Sequence, residues 1–408
     1  MIIRQEYLEK LQNWKNEQVI KVITGIRRCG KSTLLKMYKE QLLEQGVATE
    51  QIIFLNFEDL AFDHLLDYKA LYEYISLKLH PEKTTYIFLD EIQKVDCFEK
   101  VVDSLYIKDN VDIYITGSNA YLLSGELATL LSGRYVEINM LPLSFKEFCS
   151  AKTNEAPEKL FNDYMQVGSL PYVANLDVNK EKVEVYLEGI YNTIIVKDIE
   201  DRQKRRSANT ESRKITDILL LKNIARFLAS TVGSPVSIKS ITNYITSTGR
   251  KVSQNTISDY LQALIEPYIF YPIERYDISG KQLLKTNQKL YIVDLGIRNH
   301  LLPKKNYDLG FSLENIVCLE LLRRGYKVTV GRIDNLEVDF IARKQDSIHY
   351  IQVTASLLDE TTFNREMQPL KSINDNYSKT ILTLDRFTMG NYDGINVVNA
   401  LDWLLGKE

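Results

Sequence analysis

The chain has few of the features that mark several protein classes. Of 408 residues only four are cysteine (Cys29, Cys97, Cys149, Cys318). None sits at paired spacing, which argues against a disulfide framework and against a zinc ribbon. No apolar run reaches the ~20 residues of a membrane-crossing helix, so no membrane partner is expected. The start, Met1-Ile-Ile-Arg-Gln-Glu-Tyr-Leu8, has no basic segment followed by an apolar stretch and a small-residue cleavage site, so a secretory leader is not expected. Cations are not in excess: 51 Lys and Arg stand against 54 Asp and Glu, a net charge of -3. Any nucleic-acid binding must then come from a local patch. Internal repeats and low-complexity segments are missing as well. These absences leave a reduced, cytoplasmic protein as the expectation.

What is present is an ordinary globular composition, 45% hydrophobic and 26% charged. The length calls for more than one core. Short β-rich runs at Val19–Thr24, Ile52–Phe57, Tyr86–Leu89, Asp112–Thr116 and Tyr135–Met140 alternate with segments of helical period. That alternation predicts an α/β fold with a five-stranded parallel sheet over residues 1–142. Residues 143–211 read as a helical lid and linker, broken at Val167-Gly-Ser-Leu-Pro171 and carrying near its end the basic run Arg202-Gln-Lys-Arg-Arg206, which Arg213 and Lys214 follow. Residues 212–303 read as a winged helix, with helices at Asp217–Ser230, Ser237–Thr248 and Ser253–Ile265, then strands at Tyr268–Tyr276 and Lys289–Val293. Residues 304–408 read as a smaller α/β unit.

Gly25-Ile-Arg27-Arg28-Cys29-Gly30-Lys31-Ser32 fits G-x-x-x-x-G-K-[ST] and lies after a predicted strand and before the helical segment Thr33–Leu43. Glycines let the backbone N–H groups close round a phosphate, and a helix start adds partial positive charge. Lys31 would reach the β- and γ-phosphates of ATP. Ser32 would ligate Mg²⁺, a hard cation that takes oxygen ligands. Downstream, Thr85-Tyr-Ile-Phe-Leu-Asp90-Glu91 ends a buried strand in two carboxylates, Asp90 for the metal shell and Glu91 to polarise water. The predicted strand Ile52–Phe57 lies between these motifs, as in the additional-strand division of P-loop enzymes. Ser118 or Asn119, after the fourth strand, would orient the attacking water. Arg134 in Leu131-Ser-Gly-Arg134 is a candidate arginine finger, with a plain salt bridge as the alternative. A finger role would imply a homo-oligomer with shared sites. Cys29 suggests that alkylation would crowd the loop and block nucleotide.

Taken together, Ile2-Ile3-Arg4, Thr24–Thr33, Phe88-Leu-Asp-Glu-Ile-Gln93, Thr116-Gly-Ser118 and Ser132-Gly-Arg134 resemble the prokaryotic AAA+ ATPases that carry a C-terminal domain of unknown function with a restriction-endonuclease-like core. Leu141–Glu147, Gly168-Ser-Leu-Pro171, Val196–Ile199, Asp294-Leu-Gly296, Glu314-Asn315 and Glu337-Val-Asp-Phe340 extend the likeness over nearly the whole chain. The resemblance implies ATP and Mg²⁺ as cofactors, with Gly25–Thr33 holding nucleotide. It also implies a nuclease-like metal motif in the last unit. Glu314 and Asp339 match that motif, but Gln352 stands where a carboxylate is needed and Thr354 where a lysine is needed. A retained fold without cleavage is therefore expected, the alternative being an ATP-gated nuclease in which Glu337 substitutes as a metal ligand. Around the helix Ser253–Ile265, Arg250, Lys251, Lys281 and Lys285 offer a modest patch for DNA.

Overall fold

The structure is a computed structural model, described over residues 2–117, 133–152, 155–176, 180–193, 217–302 and 308–407. Ser118, Asn119, Leu131, Ser132, Val196–Ile199 and the basic run 202–214 lie outside the described residues. The chain divides into two compact units, Met1–Pro142 with Glu266–Tyr268, and Leu143–Ile265 with Ile269–Glu408.

The first unit runs α1 (Gln5–Asn13), β1 (Ile20–Thr24), α2 (Lys31–Glu44), β2 (Ile52–Asn56), α3 (Tyr68–Lys78), β3 (Thr85–Asp90), α4 (Phe98–Tyr106), β4 (Val111–Thr116) and β5 (Tyr135–Asn139). All four strand pairings are parallel, in the order β2-β3-β4-β1-β5. Every residue of β1 and β3 is buried, which explains their unbroken apolar character, since a parallel sheet is covered on both faces. Val22, Leu55, Ile87, Leu89 and Ile115 pack with Leu71 and Ile75 of α3 and Val101 and Leu105 of α4 into one core. The strand expected at Ile52–Phe57, between the two motifs in sequence, is β2; in the sheet it lies at the far edge, and β4 stands between β1 and β3. Order along the chain does not set order in a sheet joined by helical crossovers.

The second unit begins with α5 (Phe145–Ser150), α6 (Pro157–Val167), α7 (Pro171–Asn175), α8 (Lys180–Asn192) and α9 (Ile218–Ser230). β6 (Pro235–Val236), α10 (Ile238–Ser247), α11 (Gln254–Ile265), β7 (Phe270–Asp277) and β8 (Gln282–Ile292) follow. Next come α12 (Leu295–Leu301), α13 (Leu309–Arg323), β9 (Lys327–Ile333), β10 (Leu336–Lys344), β11 (Ser347–Thr354) and α14 (Glu360–Lys371). β12 (Ser378–Thr383), β13 (Gly390–Tyr392), β14 (Ile395–Asn399) and α15 (Ala400–Leu405) complete it. Its strands form one nine-stranded sheet, β13-β14-β12-β11-β10-β9-β7-β8-β6. The β7–β8 hairpin and the following α/β strands thus share a sheet, joined by the parallel pairing of Arg275–Asp277 with Val330–Arg332. Strand β8 is longer than the run expected at Lys289–Val293, because its polar first half is held by Arg275, Tyr276 and Asp277 across the hairpin.

Two of the unexplained motifs account for each other. Asp294 caps α12 through Ile297 N at 2.9 Å and accepts from Ser169 N at 2.5 Å and Ser169 Oγ at 2.9 Å. A Cβ on Gly168 would lie 2.4 Å from Asp294 Oδ1, and one on Gly296 would lie 2.3 Å from the Val167 carbonyl oxygen. Only glycine fits either position.

Candidate active site at the carboxyl edge of the parallel sheet

Strand register gathers the site. Ile23 pairs with Thr116, and Leu89 with Ile115, so Thr24, Thr116 and Asp90 leave the sheet at one level. The P-loop departs there. Gly25, Arg28 and Gly30 take φ values of 140°, 69° and 104°, a run of left-handed turns that brings main-chain N–H groups to one side. A Cβ on Gly25 would stand 2.2 Å from the Met140 carbonyl oxygen, so that position admits glycine alone. Lys31 opens α2, is 4% exposed, and donates from Nζ to the Gly25 and Ile26 carbonyls at 3.0 and 3.2 Å. Cys29 is fully buried. Arg27 is half-buried, and Arg28 and Thr33 are exposed.

Asp90 is fully buried at the end of β3. Thr116 Oγ1 donates to Asp90 Oδ1 at 2.6 Å, and the same hydroxyl accepts from Glu91 N at 2.9 Å. Asp90 Oδ2 is buried with no hydrogen-bond partner. Burial pushes the Asp90 carboxyl above the usual aspartate range, while the hydroxyls of Thr116 and Ser32 pull it down, Glu91 raises it and Lys31 lowers it. An orphaned carboxylate oxygen beside a serine hydroxyl is a donor set suited to a hard divalent cation. Glu91 follows with φ 55° and is 8% exposed, its Oε2 accepting a hydrogen bond from Gln93 Nε2. Thr116 is the residue that sequence reasoning left without a role. Its only signal was its place at the end of the strand that packs beside β3.

Arg134 stands apart from this edge. Its carbonyl accepts from Ile20 N at 2.8 Å, and Ile20 pairs with Tyr135, so Arg134 enters the sheet at its amino end. Four residues of strand, about 13 Å, separate that level from Thr24. Its guanidinium pairs with Asp103 and lies over the Tyr106 ring at 5.4 Å.

In the second unit, the acids of the expected nuclease-like motif surround a lysine. Lys289 Nζ lies 2.9 Å from Glu314 Oε1, 2.9 Å from Glu337 Oε1 and 3.9 Å from Asp339 Oδ1. Burial opposes this charge, yet Glu314, Asp339 and Glu337 outweigh it and hold the ammonium above the ordinary lysine range. Gln352 accepts from Asp339 N at 3.3 Å and donates to Glu366 at 2.8 Å. Among the described residues no group of three or more His, Cys, Asp or Glu side chains is arranged to hold a metal ion.

Comparison with known proteins agrees with this geometry. A family model described as AAA domain matches residues 17–149, and one described as Domain of unknown function (DUF8612) matches residues 158–308. An uncharacterized protein of Haemophilus influenzae is 43% identical over 410 residues, covering 99% of this chain and 99% of that one. An uncharacterized protein of Methanocaldococcus jannaschii is 33% identical over 382 residues, covering 87% of this chain and 79% of its own. Among solved structures, the Walker-type ATPase of Pyrococcus abyssi aligns at 13% identity and a TM-score of 0.51, over 74% of this chain and 96% of that one, a likeness of fold. With its parallel sheet, its phosphate loop and its acidic strand end, the chain belongs to the AAA+ P-loop ATPase family that carries a C-terminal domain of unknown function.

Proposed function

We propose that the protein binds ATP with Mg²⁺ at this edge, hydrolyses it, and couples the cycle to movement of its segments 143–211, 212–303 and 304–408, acting on DNA. The observation that carries the reading is the unpartnered Asp90 Oδ2, level with the P-loop and beside Ser32 and Lys31. The loop N–H groups and Lys31 bind and orient the phosphates. Ser32 and Asp90 are the ligands for Mg²⁺, which when bound neutralises charge on the phosphate oxygens. Glu91 takes a proton from water as the water oxygen bonds to the γ-phosphorus and the bond to the β–γ bridging oxygen breaks, giving ADP and phosphate. Asn119 orients that water. As an arginine finger Arg134 would act on a neighbouring subunit's site and the working form would be a homo-oligomer, whereas its pairing with Asp103 supports the plain salt bridge.

DNA contact is supported by exposed Gln254 and Asn255 at the start of α11, by exposed Lys251 just before it and by exposed Lys281 in the turn between β7 and β8. Arg250 already pairs with Asp217, and Ser253 caps the helix at Thr256 N. The patch therefore has few cations to offer phosphates, and weak, salt-sensitive binding follows.

Steady-state ATP hydrolysis by wild type and Glu91→Gln, alone and with single- or double-stranded DNA, tests the reading. Hydrolysis accelerated by DNA and abolished in Glu91→Gln is expected. Turnover that depends on Glu91 but ignores DNA moves the target to a protein partner. Turnover retained in Glu91→Gln overturns the site.

A further inference from the structure

We infer that Gln93 positions both Glu91 and the attacking water, a role that rests on the ATP hydrolysis proposed above. Gln93 closes the motif Phe88–Gln93, in which Asp90 and Glu91 already have tasks. Glu91 holds φ 55°, a conformation uncommon for a residue with a side chain, and Thr116 Oγ1 fixes its N–H at 2.9 Å. A single 3-10 turn, Ile92–Lys94, follows at once and folds the Gln93 side chain back against Glu91.

The amide then has two different ends. Nε2 donates to Glu91 Oε2, which fixes which way round it sits, because the carbonyl end facing a carboxylate would set two acceptors together. Oε1 is buried and has no hydrogen-bond partner. A buried acceptor left unpaired costs free energy, so a donor arriving with the substrate is favoured there. Beside a carboxylate that removes a proton from water, the donor at hand is that same water. One O–H points to Glu91 and the other to Gln93 Oε1, so the lone pair is left to face the γ-phosphorus. Gln93 thus limits Glu91 to one rotamer and the water to one orientation, which is the entropic part of lowering a barrier.

The test uses the full chain with Gln93→Ala and the equally long, apolar Gln93→Met. ATP affinity is read with a fluorescent ATP analogue and Mg²⁺, and the chemical step by single-turnover hydrolysis with enzyme in excess. Both variants should bind nucleotide within about twofold of wild type and hydrolyse about 10–100-fold more slowly. Because Gln93 and Glu91 act on one water, the residual single-turnover rate of Glu91→Gln should fall less than about twofold further when Gln93→Ala is added, whereas a merely structural role multiplies the two losses. Hydrolysis within twofold of wild type in Gln93→Met overturns the inference, as does a loss explained by weakened binding. If Glu91→Gln abolishes hydrolysis while the Gln93 variants match wild type, this inference alone fails. If Glu91→Gln turns over normally, the ATPase reading fails with it.

Discussion

Arg4 Nη1 donates to the main-chain carbonyl of Cys29 at 3.0 Å, tying the first residues of the chain to the middle of the phosphate loop. The same guanidinium, 3% exposed, reaches the carbonyls of Leu141 at 2.7 Å and Pro142 at 3.2 Å. The loop is thereby fastened to the segment leaving β5, the same segment whose Met140 carbonyl excludes a side chain at Gly25. Hydrogen bonds from a charged donor are worth about 1.5–3 kcal/mol each in net stability. Arg4→Ala should weaken nucleotide binding by about tenfold or more and lower the melting temperature. Arg4→Lys, which cannot span three carbonyls, should recover only part of the loss. Unchanged affinity in Arg4→Ala, measured by titration calorimetry, would remove the fastening role.

Lys289 already supplies the cation that the acids of the C-terminal sheet require. Supercoiled plasmid incubated with wild type and Mg²⁺ should stay intact, and Asp339→Ala should not change that outcome. Lys289→Met takes the paired ammonium from Glu314 and Asp339 in a poorly solvated site, and leaves only Arg275, 3.4 Å from Glu337, as a neighbouring cation. It should destabilise the second unit by about 3–5 kcal/mol, read by urea unfolding. Mg²⁺-dependent nicking by the wild type would show that the internal ion pair opens.

Asp294 gives a pH signature. Burial pushes its carboxyl above the ordinary aspartate range despite hydrogen bonds from Ser169, Ile297 and Gly296. A carboxyl whose folded pKa is raised binds its proton more tightly when folded, so its share of stability grows as pH falls through the folded value towards the unfolded one near 3.9. The stability of wild type relative to Asp294→Asn should therefore increase on going from pH 7 to pH 4. A difference that shrinks over that range contradicts the burial argument. At pH 7 the substitution should itself cost about 1–3 kcal/mol, since an amide N–H would face the Ser169 donors.

The cysteines should react in order of access. Cys97 is exposed and Cys149 partly so, with burial pushing the Cys149 thiol up to about 11. Cys29 and Cys318 are buried. A stoichiometric maleimide should label Cys97 and leave ATP affinity unchanged, with Cys29 labelled only on unfolding. Peptide mapping of the labelled protein checks this. Thiol modification is thus not a ready way to block the loop in the folded protein.

How much of this was legible in the sequence depended on whether the information was local. The P-loop and the Asp90–Glu91 strand end are local patterns, and β1 to β5 fall within two residues of their predicted limits because buried parallel strands read as continuous apolar runs. The relations that complete the site are not local. Arg4 on Cys29, Thr116 on Asp90 and the distance of Arg134 from the P-loop all follow from strand order and register, which residue type does not encode. Strands β13 and β14 were not expected because Gly390, Asn391 and Asn396 dilute the pattern and one of the three inward positions, Ile395, Val397 and Asn399, is polar. Lys289 resembled the start of an ordinary strand until Glu314, Glu337 and Asp339 were found around it.

The pairing of β7 with β9 also sets where the chain cannot be cut. Ending it at residue 303, just after α12, would strip β9 from Arg275–Asp277 and leave their main-chain N–H and C=O groups bare along an open edge. Such an edge invites strands from other molecules. The fragment would also lose Glu314, the buried partner of Lys289 and Tyr291, so it should collect in aggregates where the whole chain stays dispersed.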